Sequence, residues 1–175
     1  MNTTLVLTLV GPDRTGLVET VSQLVAAHGG NWLESRMARL GGQFAGIARV
    51  AVPVANEAAL RAALAALGTQ GLKVATELDP AAVPEPTRGR AAKLELVGQD
   101  RPGIVHQISR VLAAHRVNVE EIETSCVDAP MAGGILFRAK ALLHVPAAAD
   151  MAAIRGDLET IAADLMVDLS FAEAK

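Results

Sequence analysis

The chain has 175 residues, of which 51% are hydrophobic and 20% charged, and its 16 Lys and Arg against 19 Asp and Glu give a formal net charge of −3. That composition supports a folded core and excludes intrinsic disorder, and it lacks the cationic excess that binding to duplex DNA requires. The aromatic residues are Trp32, Phe44, Phe137 and Phe171, with no tyrosine, which excludes a stacking platform for single-stranded nucleic acid.

The single cysteine, Cys126, excludes an intrachain disulfide and any cysteine-based zinc or iron–sulfur centre. Met1 is followed by no basic segment of a signal peptide, and no apolar run approaches the roughly 20 residues that span a bilayer. A cytoplasmic chain without membrane contact is expected.

In chain order, Thr4–Val10 is rich in Leu, Val and Thr and predicts a strand. Gly11–Gly16 predicts a loop. Leu17, Val18, Val21, Leu24, Val25 and His28 share one face of an amphipathic helix, which Gly29 and Gly30 end. Asn31–Leu40 and Gln43–Val52 flank Gly41-Gly42, a hairpin signal, and Pro53 closes the second strand. Leu60, Leu64 and Leu67 mark a second helix, ended near Gly68 or Gly71, and Leu72–Leu78 predicts a last strand. The prolines and missing periodicity of residues 79–90 predict a semi-extended linker.

The order then repeats. Lys93–Val97 predicts a strand, and Ile104, Val105, Ile108, Val111, Leu112 and His115 a helix face. Val117–Val127 and Ile135–Val145 predict strands, Met151, Ile154, Leu158 and Ile161 a helix, and Leu165–Phe171 the closing strand. Residues 9–31 and 96–118 agree at 12 of 23 positions at an offset of 87, so the chain is an internal duplication. The offset grows to 94 between Leu60 and Ile154, which places an insertion around residues 128–134. The period is too long for a solenoid.

The predicted organisation is a first domain over 1–79, a linker over 80–91 and a second domain over 92–175. Two βαββαβ units belong to the α+β class as ferredoxin-like folds. Each is an antiparallel four-stranded sheet with both helices on one face. The open face must be covered or carry polar residues.

The loop Gly-x-Asp-Arg-x-Gly occurs at 11–16 and again at 98–103, immediately before a helix whose first N–H groups lack partners and favour an anion. Its glycines permit close backbone approach, Pro102 suits a first helical turn, and Asp13 and Asp100 can cap the helix or take an ammonium group. The pattern differs from a Walker loop and from Gly-x-Gly-x-x-Gly. His28 and His115 sit at equivalent helix ends, where a histidine favours the dipole, and His106 reads as a surface residue. No metal-ligand spacing, cofactor motif, nucleophile elbow or carboxylate pair is evident. Glu121 and Glu123 predict one solvated strand face. Cys126 reads as a strand residue rather than a nucleophile. A regulator is therefore expected rather than an enzyme. A remote enzymatic alternative is an acylphosphatase-like use of Arg14 with Asn31.

The strand–Gly-x-Asp-Arg-x-Gly–helix opening, the βαββαβ order and the Ala-x-His-x-x-Asn step together resemble ACT domains. Two such units, with Ala-Pro-Met-Ala-Gly-Gly-x-Leu-Phe at 129–137, resemble the tandem-ACT family of glycine cleavage system transcriptional repressors. The resemblance implies non-enzymatic regulation by a small amino acid, glycine or serine. It implies action through a LysR-type transcription factor, without direct nucleic acid binding, and pairing of units that includes a homodimer. It carries the ligand contacts onto Gly11, Asp13, Arg14, Thr15, Gly16 and Asn31, and onto Gly98, Asp100, Arg101, Pro102, Gly103 and Asn118. No cofactor is implied. Ala132 stands where such repressors commonly carry serine. A regulatory subunit docked on an enzyme of amino-acid metabolism is the alternative.

Overall fold

Strand β1 (Asn2–Pro12) buries Leu5, Leu7 and Leu9 on one side, as the two-residue period of a strand requires. In the computed structural model, which describes residues 1–79, 89–128 and 134–174, it opens the first of two units, Met1–Val83 and Pro84–Lys175.

Helix α1 (Leu17–Ala27) follows, burying Leu17, Val21 and Val25. Strands β2 (Asn31–Leu40) and β3 (Gln43–Pro53) form a hairpin in which Leu40 pairs with Gln43. Gly41 and Gly42 lie between them at φ 57 and 75, the two positive values a tight two-residue turn demands. Helix α2 (Glu57–Ala66) buries Leu60 and Leu64. It passes Gly68 as a tightened turn over 67–70 that keeps Leu67 buried, and Gly71 at φ 86 closes it. Strand β4 (Lys73–Leu78) completes the sheet, ordered β2-β3-β1-β4 and antiparallel throughout.

The second unit repeats this with β5 (Gly89–Gln99), α3 (Ile104–Ala114), β6 (Asn118–Asp128), β7 (Ile135–Pro146), α4 (Met151–Leu165) and β8 (Val167–Glu173), ordered β6-β7-β5-β8. The α+β class and the two βαββαβ units are as expected from the sequence. Two boundaries differ. Strand β5 starts at Gly89, which pairs with Pro146, so residues 89–91 are strand rather than linker. Arg90 also reaches Glu173 at 3.0 Å. The last helix runs to Leu165, buried at 4% exposure, and Met166 at φ 54 ends it, so β8 begins two residues later than its composition suggests. The rest of the expected linker, residues 80–88, and residues 129–133 of the insertion, with Ala132, lie outside the described residues.

Each unit has its own core on the helix side of its sheet. Leu5, Leu7 and Leu9 pack with Val21, Leu60 and Leu64, and Leu94, Leu96 and Leu143 with Ile108, Ile154 and Leu158. Each fully buried Leu or Ile contributes roughly 1.5–3 kcal/mol of transfer free energy.

The open faces differ. In the second unit the register sets Glu123 opposite Lys140, and Lys140 opposite Glu95, a cross-strand ladder of alternating charge. Glu121 lies on the same face, opposite Leu142, so the expected solvated carboxylate face is present. The first unit exposes Val10 and Ile47 on this face, at 42% and 54%, and the second unit exposes Val97, the counterpart of Val10, at 38%. Arg49 of the first unit binds Asp79 through Nε at 3.0 Å and Nη2 at 2.6 Å. The hydrogen bond to Asp79, with its charge, raises the Arg49 pKa above its ordinary value. Among the described residues no helix is long and apolar enough to cross a membrane.

Candidate functional site

The duplicated loops join β1 to α1 and β5 to α3. Gly16 and Gly103 occupy the N-cap positions of the two helices at φ 90 and 94, left-handed values that glycine adopts without strain. Their carbonyls accept the first helical hydrogen bonds, from Thr20 N at 2.9 Å and Gln107 N at 3.0 Å. A Cβ at either glycine would meet nothing closer than 3.7 Å, so backbone conformation, not space, selects glycine there.

The first glycine of each motif has a different cause. A Cβ on Gly11 would lie 2.6 Å from the carbonyl oxygen of Gly71, and one on Gly98 would lie 2.9 Å from the Cα of Val167. These glycines let the central strand approach the start of β4 or β8. The close backbone approach read from the sequence is an approach to the protein's own sheet.

Neither helix has a side-chain cap at this end, so Asp13 and Asp100 are not caps. Asp13 N donates to Gly42 O and Asp100 N to Ile135 O, each at 2.9 Å, which ties both loops to the tip of the adjacent hairpin. The carboxylates then part company. Asp13 Oδ2 meets Arg39 Nε at 2.6 Å, whereas Asp100 has no ion pair among the described residues. Arg39 was not expected as a partner. Aligning the copies at the offset of 87 sets Arg39 against Cys126, so the ion pair could have been read as unduplicated. Arg14, Thr15 and Pro102 are exposed and Arg101 half-buried, with no side-chain hydrogen bond or ion pair among the described residues.

Asn31 and Asn118 open β2 and β6, at the far end of each sheet. Asn31 pairs with Ala51, whereas Pro12 pairs with Gln43, eight residues away along β3. At about 3.3 Å per residue that is roughly 26 Å. The second unit repeats the separation, with Asn118 opposite His144 and Gln99 opposite Leu136. Within one unit the asparagines and the loops are not brought together. The acylphosphatase-like combination of Arg14 with Asn31 is therefore not assembled within the unit.

His28 and His115 sit at the C-terminal ends of α1 and α3. His28 Nδ1 contacts Leu24 O at 2.8 Å, serving a carbonyl at the helix end. His115 Nε2 meets Asp157 Oδ2 at 2.7 Å and so links α3 to α4. His106 is exposed, as is Cys126.

Comparison with known proteins agrees with this geometry. Residues 3–77 and 94–172 each match the family model of the ACT domain. Over 161 residues the chain is 24% identical to the glycine cleavage system transcriptional repressor of Escherichia coli (strain K12), covering 92% of this chain and 85% of that protein. Among solved structures, a protein of unknown function from Galdieria sulphuraria matches over 100% of both chains, at 29% identity and a TM-score of 0.84. A structure described as a candidate glycine cleavage system transcriptional repressor shares the fold, with a TM-score of 0.70 and 19% identity over 100% of this chain and 99% of that one. The two matched segments take in nearly all of both sheets and all four helices, and the chain belongs to the ACT-domain family as a tandem pair of ACT units.

Proposed function

We propose that the chain is a non-catalytic, amino-acid-responsive regulator of the glycine cleavage repressor type, located in the cytoplasm and acting through a LysR-type transcription factor. The observation that carries this reading is the twice-built loop, with an uncapped helix start beside an aspartate. The similarity to a repressor along 92% of the chain supports it. A free amino acid presents a carboxylate and an ammonium close together. The helix N-terminus receives the carboxylate and the aspartate the ammonium. Gly16 and Gly103 hold the backbone in the required conformation, and exposed Arg14, Thr15 and Pro102 with half-buried Arg101 form the wall. Gly11 and Gly98 act only through the sheet. Asn31 and Asn118 would enter such a site from a second copy of the chain.

Two measurements test the reading. In a thermal-shift screen against the twenty amino acids, a ligand at 100 times its Kd stabilises the protein by about 2.7 kcal/mol. Asp100→Ala then weakens binding roughly 10–150-fold, the loss of one hydrogen bond to a charged group. If no amino acid stabilises the chain, the loops are turns only. In a gel-shift assay the protein alone forms no sequence-specific complex with duplex DNA at physiological salt, as its net charge of −3 implies. A specific complex without a partner would contradict the proposed division of labour.

A further inference from the structure

The two units repeat one loop but not its surroundings. In the second unit an apolar groove with a cavity of about 30 Å³ lies between α3 and the edge strand β6. Ile104, Val105 and Ile108 line it from the helix, Val119 and Ile122 from the strand, and Phe137 from β7. Ser109 contributes the one polar side chain of the lining. A cavity of about 10–15 Å³ holds one water, and apolar cavities stay dry and take hydrocarbon. The groove therefore has room for one or two methyl groups at its closed end. Val105 and Ile122, exposed at 44% and 51%, extend it toward the mouth.

In the first unit the same register positions are filled by the chain itself. Trp32 pairs with Val50 as Val119 pairs with Leu143, and each is followed by a bulge. Met37 lies opposite Gly46 as Thr124 lies opposite Ala139. Trp32 and Met37 pack against the core, and Met37 Cγ covers Gly46 so closely that a Cβ would not fit there.

The carboxylates differ in the same sense. Arg39, opposite Phe44, neutralises Asp13. Its counterpart, opposite Phe137, is the exposed Cys126, which cannot do the same for Asp100. Both loops are tied to their hairpin by the same backbone bond, which holds Asp100 beside Ile135, two residues from Phe137 of the groove lining, and Asp100 has no ion pair among the described residues.

We propose that the second unit alone reads the ligand. The ligand is a small aliphatic amino acid, of alanine to valine size, with its side chain in the groove and its ammonium on Asp100. The first unit, filled by Trp32 and Met37 and neutralised by Arg39, takes none. This rests on the amino-acid reading above and changes its expected ligand. Glycine leaves the groove empty, and serine would desolvate its hydroxyl there.

Calorimetry on the full chain with glycine, serine, alanine and valine tests the inference. Each buried methylene-sized group is worth roughly fourfold in affinity, so valine binds at least tenfold tighter than glycine, with one site per chain. Cys126→Arg, on an exposed strand, lets the new guanidinium occupy Asp100 and weakens valine roughly 10–150-fold. Val119→Trp fills the groove and also weakens it, whereas Arg39→Ala in the first unit leaves it unchanged. Two sites per chain, glycine binding as tightly as valine, or an unaltered affinity in Cys126→Arg would each overturn the inference while leaving loop binding of an amino acid standing. No binding by any amino acid would overturn both.

Discussion

Leu158→Ala costs the second unit about 2–5 kcal/mol, and Leu64→Ala costs the first unit about the same. The two leucines are equivalent at the offset of 94 and both are 0% exposed. Each projects from the second helix of its unit into a core that contains no buried polar or charged residue among those described. Truncation therefore removes transfer free energy and leaves a hole in the core, which includes Leu94, Ile154 and Leu165 in the second unit and Leu5, Val21 and Leu60 in the first. Where a loss falls in that range depends on how far the helix settles onto the sheet. In a unit of this size each kcal/mol corresponds to about 4–8 °C in Tm. Urea denaturation followed by circular dichroism gives the difference. Val18→Ala, at 47% exposure on α1, serves as the control and stays within about 0.5 kcal/mol. A loss below 1 kcal/mol at both leucines would show that the cores are not packed as described.

Gly98→Ala destabilises the protein by about 1–3 kcal/mol, the usual range for forcing an added carbon into a packed site. The added Cβ would sit 2.8 Å from Val167 Cβ and 2.9 Å from its Cα. The second of these is backbone, so the β5–β8 pairing must open at that end. Gly156→Ala has the opposite sign. Gly156 lies inside α4, exposed, and a Cβ there meets nothing within 4 Å. Alanine at that position gains about 0.5–1 kcal/mol from helix propensity. Thermal denaturation of the two variants beside the wild type gives both signs. If Gly98→Ala matched the wild type, the first glycine of the motif would be free to serve a ligand, and its assignment to the sheet would fail.

Much of the fold was legible because the relevant signals are local. The alternation of Leu5, Leu7 and Leu9, the spacing of Ile104, Ile108, Val111 and Leu112, and the Gly41-Gly42 turn each report a periodicity or a φ requirement that neighbouring residues impose. The differences came at ends. Of the two stops the second helix offers, Gly71 closes it, because burying Leu67 tightens the last turn past Gly68. Leu165 resembles the start of a strand, yet the core of the second unit keeps it in the helix. The candidate site was less legible. The motif mixes two kinds of glycine, one required by φ and one by the nearness of another strand, and composition alone does not separate them.

The sequence by itself determined the duplication, the βαββαβ order, the class of fold and the place of both loops at a helix start. Each follows from local patterns that occur twice, at an offset of 87 before the insertion and 94 after it. Only the tertiary structure decided that Gly11 and Gly98 lie close against the neighbouring strand, that Asp13 meets Arg39 while Asp100 has no ion pair among the described residues, and that Asn31 lies at the far end of the sheet from its loop. It alone showed the groove beside Val119, where the first unit has Trp32. The physical reason is range. Periodicity and turn chemistry act over a few residues, whereas these features depend on which strands become neighbours and in what register, and register joins residues as distant in sequence as Gly98 and Val167.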